Sequence, residues 1–387
     1  MVTRAIKRIL IRRIMQDRLS LFTFWGLLLI PLSHIYRVIT LVRTRLYQKG
    51  VKQSRQLPCP VISIGNIIAG GTGKTPVAMH LALMLRGMGF QPVILSRGYK
   101  GEKSATGGIV SDGRTLFMTE KECGDEPLMM AKALKMPVVI GQDRYRAGCL
   151  AVESFDPDVI ILDDGFQHLR LKRDLDIVLL DHDYPFGNQR LLPAGLLREP
   201  PRTALNRADM VIFTRCPDPP NQNPVEPFFP GVESRTGKNL PCFPGVWFTQ
   251  HQPLLDRTLV PRNSDGCIVE TLDDLHGKTA VAFSGIANNR AFADTLKQLG
   301  VSVLDHFEFS DHHTYLPEEL AGFDQAALKQ KPDILVTTQK DFARIGENRT
   351  WPVSLVVIGI RIKWVDKEDE LSQTIRNVIK NDQARSV

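Results

Sequence analysis

A glycine-rich run, Gly65-Asn-Ile-Ile-Ala-Gly-Gly-Thr-Gly-Lys-Thr-Pro76, stands between the apolar stretch Pro60-Val-Ile-Ser-Ile64 and a helical pattern. That order of strand, loop and helix narrows the fold to a parallel α/β sheet with a phosphate site at one strand end. Closely spaced glycines let consecutive backbone N–H groups turn onto phosphate oxygens, and the helix start adds the positive end of its dipole. Ile68, Ala69, Gly70, Gly71, Thr72 and Gly73 form the expected cradle. Lys74 then reaches the β/γ-phosphates, and Thr75 offers its hydroxyl to Mg²⁺. The strict spacing asks for glycine at position 68, where this chain has Ile68, so the match is to the Gly-Lys-Thr core. Val159-Ile-Ile-Leu-Asp-Asp164 supports it: this reads as a buried parallel strand ending in the acids Asp163 and Asp164, where a metal-holding Walker B aspartate belongs.

At 387 residues the chain is long enough for two domains with cores of their own. Its net charge of +7 is unevenly spread. Residues 1–55 hold twelve Lys or Arg against the single acid Asp17, a local +11 that leaves the remainder slightly acidic. The six cysteines contain no C-x-x-C pair, which fits neither a zinc site nor a disulfide framework and suits a reducing compartment.

Leu19 to Tyr36 contains no Lys, Arg, Asp or Glu, so its eighteen residues sit at the lower limit for a membrane span. No small-residue cleavage site follows, and both flanks are basic, which removes the charge asymmetry that would orient a span. A helix lying in the membrane interface, with Trp25 and Tyr36 at headgroup level, fits this pattern better than a buried core helix. The basic residues bracket an apolar block without interleaved aromatics, so no nucleic-acid partner is expected.

Residues 56–216 alternate short apolar runs with helical patterns and read as the P-loop core domain. Expected strands are Val93–Leu95, Val138–Ile140, Val159–Leu162, Ile177–Leu180 and Met210–Phe213, with a helix over Val77–Leu85. Residues 217–262 are rich in proline and read as a linker or hinge with extended pieces. A second, smaller α/β domain follows over 263–387, with strands at Thr279–Phe283, Ile334–Thr338 and Val353–Ile358.

Polar residues crowd the ends of these strands. Gln167 and His168 follow the Asp163-Asp164 pair and could face substrate or nucleotide. Gly124-Asp-Glu-Pro127 places Asp125 and Glu126 at a helix start, where in isolation they read as first-turn acids. Arg144 follows a strand directly and is a candidate phosphate clamp. Arg97, Arg198 and Glu199 are ambiguous alone. In Ser310-Asp-His-His-Thr-Tyr315 the adjacent histidines point apart, so joint metal binding is not expected; one of them suits a general-base partner.

Together, Gly70-Gly-Thr-Gly-Lys-Thr-Pro76, Ser96-Arg-Gly-Tyr99, Gly124-Asp-Glu-Pro127, Asp143-Arg144, Asp163-Asp-Gly-Phe-Gln-His168, Leu197-Arg-Glu-Pro200 and Asp311-His312 resemble the lipid A 4′-kinase (tetraacyldisaccharide 4′-kinase) family. The resemblance implies transfer of the ATP γ-phosphate to the 4′-hydroxyl of a tetraacylated glucosamine disaccharide 1-phosphate, with Mg²⁺, at the cytoplasmic face of the inner membrane. It implies Asp125 as the catalytic base, His312 as its partner, and Lys74 as the cation on the transferring phosphate. Arg97, Glu126, Arg144, Gln167, His168, Arg198 and Glu199 fall near phosphates or substrate. Two departures stand out: Gln339 where the family usually shows Glu, and Asn in Ile286-Ala-Asn-Asn289 where Pro is usual. A monomer acting on a lipid at the membrane surface is expected. The competing class, a membrane-associated P-loop ATPase that positions a partner, carries a Lys before its Gly-Gly, where this chain has Ala69.

Overall fold

The computed structural model describes residues 24–217, 245–261, 267–311, 313–346, 349–365 and 368–383. In chain order its elements begin with α1 (Phe24–Gln48), β1 (Val61–Asn66), α2 (Lys74–Gly87), β2 (Pro92–Ser96), β3 (Gly108–Asp112), α3 (Glu120–Cys123) and α4 (Asp125–Leu134). Then come β4 (Pro137–Ile140), α5 (Arg144–Phe155), β5 (Val159–Asp163), β6 (Leu175–Asp181), α6 (Pro201–Leu205), β7 (Met210–Thr214) and β8 (Gly245–Leu259). The rest are β9 (Thr279–Ser284), α7 (Asn289–Gln298), β10 (Ser302–Glu308), α8 (Pro317–Gln330), β11 (Ile334–Thr338), α9 (Gln339–Ile345), β12 (Ser354–Trp364) and α10 (Glu368–Gln383).

Contacts divide the chain into two units: Met1–Arg97, Val139–His251 and Ile362–Val387 in one, Gly98–Val138 and Gln252–Arg361 in the other. The expected domains were contiguous stretches; these units are not, because residues 98–138 leave the core strands and pack with later sequence.

In the first unit the strand order is β8-β7-β6-β1-β5-β2-β4. Pairing is parallel from β8 through β2. β1 and β5 are buried at every position, which is why both read as unbroken apolar runs. Strands up to β5 build out one side of β1, and β6 and β7 then cross to the other, so the loop after β1 lies where strand order reverses and ligands bind such sheets. Helix α2 buries Val77, Ala78, Leu81, Ala82 and Leu85, one stripe at helical spacing.

Helix α1 has two faces. Ser33 Oγ donates to the Leu191 carbonyl at 2.9 Å, Tyr36 Oη to the Arg198 carbonyl at 2.9 Å, and Arg43 to the Gln167 carbonyl at 3.1 Å. Leu27, Leu28, Leu32, Ile35, Val38, Ile39 and Val42 are exposed on the other side. The segment from Leu27 to Gln48 is long and apolar enough to cross a membrane by length and composition, and little of it is buried. Residues 1–23, including the first part of the expected interfacial segment, lie outside the described residues.

The second unit has its own parallel order, β10-β9-β11-β12. Phe283 stacks on Phe323 with ring centres 4.4 Å apart and on Trp351 at 5.8 Å, forming an aromatic core under the sheet. Helix α4, from the 98–138 segment, lies along α9. Of the expected linker, residues 218–244 lie outside the described residues, while Gly245–Leu259 forms the long strand β8, whose first residues pair with β7.

Candidate active site

The glycine loop is shaped by donors that take its carbonyls. Asn66, at the end of β1, donates Nδ2 to the Gly70 carbonyl at 3.3 Å and to Thr72 Oγ1 at 2.9 Å. Thr214 Oγ1 donates to the Thr72 carbonyl at 3.0 Å, and Arg215 to the Gly71 carbonyl at 2.5 Å. With these carbonyls held by side chains, the free N–H groups at the start of α2 are available to an anion. Gly73 caps α2 in the left-handed region, φ 81°, which favours glycine. Lys74 Nζ sits 3.4 Å from the Gly70 carbonyl and 3.8 Å from Asp164.

Asp163 and Asp164 end β5 beside this loop, Asp163 buried and Asp164 at φ 50°. Arg198 donates to both Asp164 oxygens, at 2.8 and 3.1 Å, and to Gln167 Oε1 at 3.3 Å. Gln167 Nε2 in turn donates to the Asn66 carbonyl at 2.8 Å and to Glu199 at 3.0 Å. Buried Glu199 is paired with Arg207 at 3.0 Å. Burial works against the Asp164 carboxylate, but Lys74 and Arg198 outweigh it and hold its pKa below the usual range. The structure thus joins Asp164, Gln167, Arg198 and Glu199 by hydrogen bonds, with Lys74 attached to Asp164 as an ion pair.

Arg144 opens α5 and is buried, with one guanidinium nitrogen donating to the Gly141 carbonyl at 2.8 Å. Burial, then the charge of exposed Arg97, brings its pKa down to about 10, although Asp163 and Asp164 pull the other way. His168 is pushed down to about 4 by burial and by Arg144, so its ring is neutral at pH 7. A buried Arg with strained charge, close to two carboxylates, is suited to receive an anion.

The remaining predicted residues belong to the second unit. Gly124, at φ 88°, turns the chain into α4, and a Cβ there would strike the Tyr99 carbonyl. Asp125 accepts the Glu126 N–H at 3.0 Å on Oδ1, and Arg344 donates twice to Oδ2, at 2.8 and 2.5 Å. Arg344 also donates to Asp341 and to the Gly285 carbonyl, both at 2.9 Å. Lys340 bonds Glu126 at 3.0 Å and Asp311 at 3.3 Å. Glu120 is raised to about 7 by burial and by the Asp125 charge. His312, the expected partner of Asp125, lies outside the described residues. Its neighbour His313 stacks on Phe309 and meets Glu319 at 2.8 Å, a satisfied structural histidine.

Reasoning from sequence gave no site role to Asn66, Arg215 and Arg207 in the first unit or to Arg344 and Lys340 in the second, although Asn66 and Lys340 stand in runs compared with the family. Only Asn66 carried a signal, its place at the end of the strand before the loop. Among the described residues no group of three or more His, Cys, Asp or Glu forms a ready-made metal cage.

A profile of the tetraacyldisaccharide-1-P 4′-kinase (LpxK) family matches residues 25–380. A tetraacyldisaccharide 4′-kinase of Syntrophus aciditrophicus is 40% identical over 349 residues, 88% of this chain and 90% of that protein. One from Geobacter metallireducens is 41% identical over 335 residues, 86% of this chain and 90% of that protein. The crystal structure of an "apo" form of Aquifex aeolicus LpxK in complex with ATP superposes with a TM-score of 0.67 at 34% identity, covering 90% of this chain and 98% of that one. With the family profile spanning both units and relatives about 40% identical over most of its length, the chain belongs to the tetraacyldisaccharide-1-P 4′-kinase family.

Proposed function

We propose that this protein transfers the γ-phosphate of ATP to the 4′-hydroxyl of a tetraacyl glucosamine disaccharide 1-phosphate, giving the 1,4′-bisphosphate. The observation that carries this is the glycine loop with Lys74 and the adjoining Asp163-Asp164 pair, in a chain of this family. The amides at the start of α2 bind the phosphates, and Lys74 moves from the Gly70 carbonyl to the β/γ-oxygens. Arg144, with Arg97 beside it, offsets further negative charge. Gln167, His168, Arg198 and Glu199 hold the loop and the sugar in place.

Thr75, Asp163 and Asp164 supply hard oxygen donors, a set that fits Mg²⁺, which takes one or two carboxylates and keeps several waters. Asp164 also pairs with Lys74 and Arg198. When bound, Mg²⁺ neutralises charge on the β- and γ-oxygens. Asp125 takes the proton from the attacking hydroxyl, with Arg344 fixing the orientation of its carboxylate and His312 as its partner. Helix α1 rests its exposed apolar face on the cytoplasmic surface of the inner membrane, where the acyl chains of the substrate lie.

The test is incubation of purified protein with γ-labelled ATP and acylated disaccharide 1-phosphate in mixed micelles. Label should appear in a lipid bisphosphate with the wild type and not with Lys74→Ala. Nucleotide hydrolysis without lipid labelling would favour the ATPase reading instead.

A further inference from the structure

His251 lies within β8, and its imidazole rests against the glycine loop of the same unit. A Cβ on Gly73 would stand 2.6 Å from its Nε2 and 2.8 Å from Cε1, so the ring comes this close only because residue 73 is glycine. Nε2 is buried and has no hydrogen-bond partner among the described residues. Buried polar atoms in native folds are almost always paired, and one left unpaired is unfavourable. Burial, with Arg215 nearby, pushes this histidine down to about 4, so the ring is neutral at pH 7 and carries one N–H.

The position of that nitrogen gives it a purpose. Gly73 is the cap of a fourteen-residue helix, and the N–H groups that follow it form the anion-binding end. Arg215 braces the same loop through the Gly71 carbonyl and is anchored by Asp181. Two side chains that follow the end of β7 therefore close on the loop; Arg215 is hydrogen-bonded, whereas His251 Nε2 has no partner among the described residues.

We propose that His251 is a phosphate-binding residue, its imidazole donating Nε2–H to an oxygen of the polyphosphate held in the glycine loop. This deepens the kinase reading by adding a ligand that the loop motif does not contain. It also makes β8, a strand with no sequence signature of function, part of the nucleotide site.

Calorimetry with Mg·ADP, a non-hydrolysable ATP analogue and inorganic tripolyphosphate tests it on the full chain. His251→Ala should weaken all three by about tenfold and leave the melting temperature of the ligand-free protein unchanged. His251→Gln, which keeps an N–H donor, should recover part of the loss. In the wild type, with ¹⁵N-labelled histidine and EDTA present, the Nε2 resonance of His251 should move when ADP is added. Unchanged affinities in both variants, or a fixed Nε2 resonance, would overturn the assignment. So would affinity losses that merely follow a lowered melting temperature. Failure of the wild type to bind any of the three probes would instead remove the nucleotide site itself, and the two failures are told apart by that control.

Discussion

Arg344→Met removes a guanidinium that holds two helices and two acids together. Arg344 and its partners Asp125 and Asp341 have side chains only 3%, 7% and 0% exposed. Truncating one member of a buried ion pair costs about 3–5 kcal/mol, because the other charge stays behind unpaired. Here both acids keep at least one other bond: Asp125 accepts the Glu126 N–H, and Asp341 accepts Thr338 Oγ1 at 2.6 Å. The expected loss is therefore near the lower end, about 3 kcal/mol. Because the pair links residues 219 apart in sequence, the second unit should unfold at lower urea with an unchanged slope in its transition. Adding Asp125→Asn to Arg344→Met should return part of that loss, since the stranded charge disappears with it. A loss below about 1 kcal/mol, the size of an exposed pair, would refute the reasoning, as would simple additivity of the two substitutions.

Lys74→Ala should lower kcat by about 10²-fold or more in a protein that still folds, read by lipid phosphorylation and circular dichroism. His168 should make stability pH-dependent. Its folded pKa of about 4 lies below that of a free histidine, about 6.5, so between these values the unfolded chain binds a proton that the folded chain does not. Stability therefore falls as pH drops from 6.5 towards 4, and His168→Gln should lessen the slope of urea midpoints across that window, with His251, shifted the same way, still contributing. Placing Glu at Leu32, Ile35 and Ile39 together should release the protein from anionic vesicles in flotation assays while its melting temperature changes little, since these side chains are exposed. Asp125→Ala and His312→Ala should each lower kcat steeply and the double variant little further, with KM for ATP nearly constant; multiplying losses would sink the pairing.

The parts visible from sequence share one property: their signal is local. The loop after β1, the acids closing β5 and the buried strands each sit within a few residues of their own explanation, and each forms as expected. Helix α2 starts three residues before its apolar stripe, at Lys74, because the loop glycines rather than the stripe set its first turn. The charge network of the second unit is different. Arg344 and Asp125 are bound by folding alone, and nothing in Gln339-Lys-Asp-Phe-Ala-Arg344 names a partner from the first third of the chain. β8 was hidden for another reason. Its polar, proline-containing sequence and intermediate burial lack the apolar run or clean alternation that marks a strand.

Helix α1 has a consequence for anyone seeking a soluble form of this protein. Trimming it away would discard the grease and the scaffolding together, because Tyr36 and Arg43 cap the carbonyls of Arg198 and Gln167, two residues of the site itself. Those carbonyls would then turn to water, and the segments that orient Asp164 and Glu199 would lose their floor. The exposed apolar side chains of its other face can be exchanged singly for polar ones without touching that floor. Solubility is better sought by repainting the helix than by cutting it.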